Sequence, residues 1–158
     1  MPEKKTTSYP KEKINILFLE NISDLAMKNF LDAGYVNVKK LSGALSEAAL
    51  IKEIRNVHLL GIRSKTQVTP AVLAAATKLQ AIGCFCIGVN QVNLQAATAA
   101  GIAVFNAPYS NTRSVAELVI GASIMLVRKV LDKSTAAHQG SWMKDATGAH
   151  ELRGKTIG

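Results

Sequence analysis

Five short apolar runs, each followed within a few residues by helix-start chemistry, constrain this chain more than any other feature. They are INILFL (14–19), YVNVKKL (35–41), HLLGIR (58–63), AIGCFCI (81–87) and IAVFN (102–106). Ser23 can cap a helix from Asp24 to Ala33 that Gly34 ends, and Ser46 before Glu47 opens EAALIKEIR. Thr69-Pro70 pairs a hydroxyl cap with a residue whose fixed φ suits the first helical position, and LQAATAA supplies a further helix. INILFL reads as a strand buried on both faces, whereas YVNVKKL alternates as a half-exposed edge strand does. Strands that alternate with helices over short connections pair in parallel and need cover on both faces. The fold expected is therefore α/β: the right-handed crossover rule favours an open, doubly wound parallel five-stranded sheet, and the order chosen here is the flavodoxin-like 2-1-3-4-5.

A long apolar helix is expected after the sheet. Ser114 and Glu117 have the spacing of a capping box, and from Leu118 to Val127 no residue is charged. A helix apolar around nearly its whole girth needs partners on two sides. Either it is a central core helix of its own domain, or it crosses to another domain or subunit; the sheet already has its covering helices, which favours the second. The boundaries read as a disordered basic tail (1–13), a sheet domain (14–113), a crossing and dimerisation helix (114–138), and an arm and linker (139–158). Trp142 in that arm either anchors an interface or covers its own core.

With 158 residues, 48% of them hydrophobic, the chain can bury one sizeable core. Its longest apolar run falls far short of the ~20 residues that span a bilayer. The start, MPEKKTTSYPKEK, lacks the apolar stretch of a secretory signal, so the expected compartment is the cytoplasm. The formal net charge is +8, but four lysines sit in the leading tail and no aromatic residues interleave with the rest. Nucleic-acid binding is not expected. Cys84 and Cys86 could form a metal or redox pair, yet a zinc site needs more ligands than they offer. Reduced, buried and metal-free thiols are the expectation.

Ligands of doubly wound sheets bind beyond the carboxyl ends of the strands. That rule selects Arg63-Ser64-Lys65, the turn Ile87-Gly88-Val89-Asn90, and the loop from Asn106 to Arg113. Two cations flanking a hydroxyl, with backbone N–H groups at Gly88, suit a small phosphorylated carboxylate. The alternative for Arg63-Ser64-Lys65 is a solvated turn.

The stretches CFCIGVNQV and FNAPYSNTRSVAELVIG resemble the substrate domain of NAD-dependent D-2-hydroxyacid dehydrogenases, most closely the branch that oxidises D-3-phosphoglycerate. The resemblance runs from Ile14 onward. It implies that Arg63, Ser64 and Lys65 hold substrate, Lys65 standing where an arginine is usual, and that Asn111 lies in a substrate loop. It also implies that Ile87 and Gly88 approach the substrate carboxylate and the nicotinamide end of NAD, and that Lys144 reaches a neighbouring subunit's phosphate site. Ser42 stands where bacterial relatives tend to have lysine, a loss that Lys39 or Lys40 could offset.

The same resemblance places ELRGKTIG just before a cofactor-binding glycine loop. The catalytic Arg, Glu and His of the family, and most of the NAD site, then lie outside these residues. No catalytic residue is assigned in this chain, and His58, His138 and His150 are not candidates. The expected role is the substrate-binding portion of a homo-oligomeric dehydrogenase, inactive by itself. A dehydrogenase for an unphosphorylated 2-hydroxy acid is the first alternative. A stand-alone module for small anions or a partner protein is the second.

Overall fold

A computed structural model describes residues 9–158. Five parallel strands form one sheet: β1 (Asn15–Phe18), β2 (Asn37–Lys40), β3 (Leu59–Ile62), β4 (Ala81–Cys84) and β5 (Ala103–Asn106). Their order is β2-β1-β3-β4-β5, as the sequence predicts. The helices between them are α1 (Asp24–Asp32), α2 (Glu47–Ile54), α3 (Pro70–Ala75) and α4 (Leu94–Ala99), followed by α5 (Thr112–Val127) and α6 (Val130–His138). The chain divides into two compact units, one ending at Ser110 and one starting at Asn111.

Local chemistry sets the helix starts in the first unit. The Ser23 side chain accepts from the Leu25 N–H, Ser46 from Ala49, Thr69 from Val72 and Asn93 from Ala96. Gly34, at φ +92°, turns the chain out of α1 in a conformation that costs other residues dearly. The edge strand β2 keeps its alternation of exposed and half-buried residues.

The two faces of the sheet are covered unequally. Leu17, Leu60 and Ile82 stand in register across β1, β3 and β4 and pack with Leu50, Ile54, Val72 and Leu73 of α2 and α3. On the other face Ile16, Phe18 and Ile22 pack against Ala26, Met27 and Phe30 of α1. Beside them a hollow of about 160 Å³ is lined by Gly61, Gly83, Phe85 and Phe105, and Phe105 is 64% exposed.

Gly61 is required for packing. A Cβ there would overlap the Phe18 ring and stand 3.1 Å from Ile22 Cδ1, and both side chains are buried. Gly61→Ala is expected to lower unfolding free energy by about 1–3 kcal/mol, the usual cost of an overfilled core. Urea denaturation of the two proteins checks this, and equal midpoints would refute it.

Several boundaries differ from the sequence expectation. The sequence predicts a disordered tail to residue 13, but Lys11–Lys13 form a 3₁₀ turn fastened to the domain. Lys11 Nζ donates to the Ala33 carbonyl at 2.7 Å and lies over the Tyr35 ring, while Asn37 Nδ2 donates to the Glu12 carbonyl. The first eight residues of that tail lie outside the described residues.

The second unit departs further. Helix α5 starts at Thr112, with Asn111 at the cap position, so Ser114 is inside the helix and caps nothing. Glu117 lies 4.0 Å from Arg113 instead of closing a capping box. The helix also stops at Val127: Lys129 takes a left-handed φ of +53° and separates α5 from α6, so no single helix runs to 138. No residue of α5 is buried, and Leu118, Ile120 and Leu126 are more than half exposed. Residues 141–158 form neither helix nor strand, and Trp142 is 83% exposed, so it covers no core of its own. Among the described residues no helix is long and apolar enough to cross a membrane.

Candidate functional site

The carboxyl ends of β1 and β3 open into a cleft of about 320 Å³ lined by Glu20, Ser42, Gly43, Ala44, Arg63, Ser64 and Lys65. Arg63, Ser64 and Lys65 are exposed there, and neither cation takes part in an ion pair among the described residues. Unpaired cations on a short turn are free to meet an anion.

The turn itself is held from below by Glu20, which is 8% exposed. Glu20 Oε1 accepts from the Arg63 N–H at 3.1 Å and the Thr66 N–H at 2.9 Å, and Oε2 accepts from the Lys65 N–H at 2.9 Å. Burial acts to raise the Glu20 carboxyl. The backbone N–H groups of Thr66, Lys65 and Arg63 outweigh it, so the group lies below its ordinary 4.5. The carboxylate therefore stays ionised, and backbone amides absorb its charge.

The other wall of the cleft hangs on the same residue. The Glu20 N–H donates to the Gly43 carbonyl at 3.1 Å and the Asn21 N–H to Leu41 at 3.2 Å. Glu20 and Asn21 both sit at positive φ, 59° and 52°.

Gln91, 3% exposed, joins this cleft to the neighbouring loops. Its Nε2 donates to the Arg63 carbonyl at 2.8 Å and lies 3.3 Å from both the Gly88 carbonyl and Cys86 Sγ. Val68 and Val92 form a parallel bridge just beyond. Asn106 Nδ2 donates to the Ile87 carbonyl at 2.7 Å, and the Ala107 N–H donates to Cys86 at 3.0 Å. Side chains thus lace the ends of β3, β4 and β5 together. Ile87 and Gly88 are exposed on that edge.

Of the residues selected from sequence, Arg63, Ser64 and Lys65 share the cleft, and Ile87-Gly88 is tied to it through Gln91. Asn111 and Lys144 belong to the second unit, both exposed. Lys39 and Lys40 do not line the cleft, and each meets a carboxylate elsewhere. Lys39 Nζ pairs with Glu53 at 2.6 Å and Lys40 Nζ with Asp24 at 2.5 Å, each drawn to a helix. Glu20 and Gln91 are not among the residues the sequence singles out. The strand-end rule that picked Arg63 also points to Glu20, which directly follows the first apolar run.

Cys84 is buried in the main core, and burial, then the neighbouring Cys86 and Glu20, push its thiol up to about 11. Cys86 packs against the same core but is only half-buried, which corrects the expectation for that thiol. Both are free thiols, and Cys84 is protonated and unreactive at neutral pH. His58 is buried at the start of β3, where its Nδ1 accepts from the Asn15 N–H at 3.0 Å. Burial and then Lys78 lower its pKa, so it is a neutral packing residue. His138 contacts its own helix, Nδ1 lying 2.8 Å from the Ser134 carbonyl.

Solved structures share this fold. D-lactate dehydrogenase from Aquifex aeolicus, determined with NAD and lactic acid, matches at a TM-score of 0.76 and 19% identity over 87% of this chain and 41% of that one. The NAD⁺-bound 3-phosphoglycerate dehydrogenase of Entamoeba histolytica matches at 0.64 and 24% identity, over 74% and 40%. Curated relatives are much closer in sequence. D-3-phosphoglycerate dehydrogenase of Dictyostelium discoideum is 51% identical over 153 residues, and that of Escherichia coli (strain K12) is 50% identical over 151. These alignments take in 97% and 96% of this chain but 37% of each relative, so the chain spans little more than a third of their length. Residues 16–151 match the catalytic-domain model of the D-isomer specific 2-hydroxyacid dehydrogenases, and the chain belongs to that family.

Proposed function

We propose that this chain is the substrate-binding portion of an NAD-dependent D-3-phosphoglycerate dehydrogenase, the enzyme that oxidises D-3-phosphoglycerate to 3-phosphooxypyruvate at the entry to serine biosynthesis. The observation that carries the reading is the strand-end cleft with two unpaired cations, Arg63 and Lys65, on a turn clamped by buried carboxylate chemistry. A phosphorylated carboxylate carries two anionic groups, a phosphate and a carboxylate, that such a turn can hold by charge-assisted hydrogen bonds. The names of the curated relatives agree with it.

In this reading Arg63, Ser64 and Lys65 bind the anion, while Ile87 and Gly88 place backbone beside the substrate carboxylate and the nicotinamide end of NAD. Asn111 and Lys144 complete the substrate site in the assembled enzyme. NAD supplies the acceptor for the hydride. These 158 residues contain no G-x-G-x-x-G loop to cradle its pyrophosphate, so the residues present do not by themselves fit the dinucleotide. Holding it falls to other parts of the full-length enzyme, which works as a cytoplasmic homo-oligomer. What this chain's residues do is bind and orient the acid.

A dehydrogenase acting on an unphosphorylated 2-hydroxy acid is the second reading. It is favoured by Ser42 in the cleft and by the commitment of Lys39 and Lys40 to Glu53 and Asp24.

Steady-state kinetics of the full-length enzyme at fixed ionic strength tests these readings, because exposed charges are screened by salt. Arg63→Ala is expected to weaken phosphoglycerate binding by about 1.5–3 kcal/mol, the range for a hydrogen bond to a charged group. An unphosphorylated 2-hydroxy acid should lose less. Equal losses for both would assign Arg63 to the carboxylate and remove its part in a phosphate site.

A further inference from the structure

We infer that Glu20 is a positioning residue for the anion-binding turn, setting the geometry of Arg63-Ser64-Lys65 without touching substrate. The inference rests on the reading of this cleft as the substrate site. Three features carry it. First, the Glu20 carboxylate takes three amides from one four-residue turn: Arg63, Lys65 and Thr66. A single acceptor group that collects three donors fixes the path of that turn, and with it the directions in which Arg63 and Lys65 leave the backbone. Second, the backbone of Glu20 binds Gly43 on the opposite wall, so one residue sets the width of the cleft. Third, Glu20 holds a left-handed φ of +59°, a conformation with a steric cost for a residue with a Cβ. Backbone strain of this kind persists where surrounding contacts over-determine it, and it collects at functional sites.

The choice of a carboxylate also has a reason. An anion beneath an anion site works against ligand binding by simple Coulomb attraction. Here backbone N–H dipoles satisfy the charge from one side, and the carboxylate in turn orients the whole turn. Gln91 extends the device by holding the Arg63 carbonyl, so the turn is pinned from both its donor and its acceptor sides.

The test is Glu20→Gln in the full-length dehydrogenase. The amide keeps the shape, but one of its two heteroatoms becomes a donor and faces the N–H that Oε2 now accepts, that of Lys65. KM for D-3-phosphoglycerate is expected to rise about tenfold while KM for NAD and kcat change less than about twofold. Glu20→Asp, which keeps the charge but withdraws it by one methylene, should show the same split, and it replaces Glu20→Gln if that variant does not fold. A lower melting temperature with an unchanged KM for phosphoglycerate would overturn the inference and leave Glu20 a stabilising residue only. If Arg63→Ala weakens phosphoglycerate but both Glu20 variants bind it normally, the positioning role falls and the substrate site stands. If Arg63→Ala also leaves phosphoglycerate unaffected, the substrate reading falls and the positioning role falls with it.

Discussion

Ile124→Lys in the full-length protein is expected to weaken the contact that covers α5, which we propose is made by a second subunit or another domain, at a cost of about 3–5 kcal/mol for an unpaired charge forced into an apolar contact. Helix α5 carries no charge from Leu118 to Val127, and Ile124 is 44% exposed in this chain. Among the described residues none of α5 is buried, and a helix apolar around its girth needs cover on more than one side. Sedimentation velocity combined with thermal unfolding reads the effect. A variant with the native sedimentation coefficient and melting temperature would show that α5 faces solvent in the assembled protein.

Leu60→Ala should destabilise the sheet unit by about 2–5 kcal/mol, the span measured for large-to-small changes in cores that relax incompletely. Leu60 is 1% exposed in a central strand, in register with Leu17 at 1% and Ile82 at 0%. Neither neighbour can move toward the vacated space without leaving its own place in the ladder. A drop in the denaturant midpoint with an unchanged slope is the expected signature. A midpoint within error of the parent would mean that the helices over this face collapse into the gap.

What the sequence made legible was chemistry confined to a few consecutive residues. The caps at Ser23, Ser46 and Thr69 each form the side-chain-to-amide bond their spacing predicts. Short apolar runs at βα spacing and right-handed crossovers leave few topologies, of which the order 2-1-3-4-5 is one. The Ser114 to Glu117 spacing misled for a related reason. The same pattern fits the first turns of a helix already begun, and the start is decided at Asn111, before any periodic residue.

The break after Val127 had no local sign at all, since VRKVLDK holds neither Gly nor Pro. It is supported by contacts from further along the chain, where the His150 N–H donates to the Val127 carbonyl and Lys133 Nζ to that of Asp145. The strand-end position of Glu20 is legible in the sequence, but its hydrogen-bond role is not. Its partners lie 43 to 46 positions away, and only the adjacency of β1 to β3 brings them together.

The lacing of the strand ends bears on how an acid would be captured. Gln91 and Asn106 bind carbonyls of Arg63, Gly88 and Ile87, all donated to by neutral side-chain amides that pH does not titrate. The edge proposed to receive the ligand is thus assembled when the sheet folds, and the entropy of ordering it is lost then rather than at encounter. For the part of the proposed site that this rim supplies, association should follow diffusion and ionic strength, with no slow rearrangement of the rim itself.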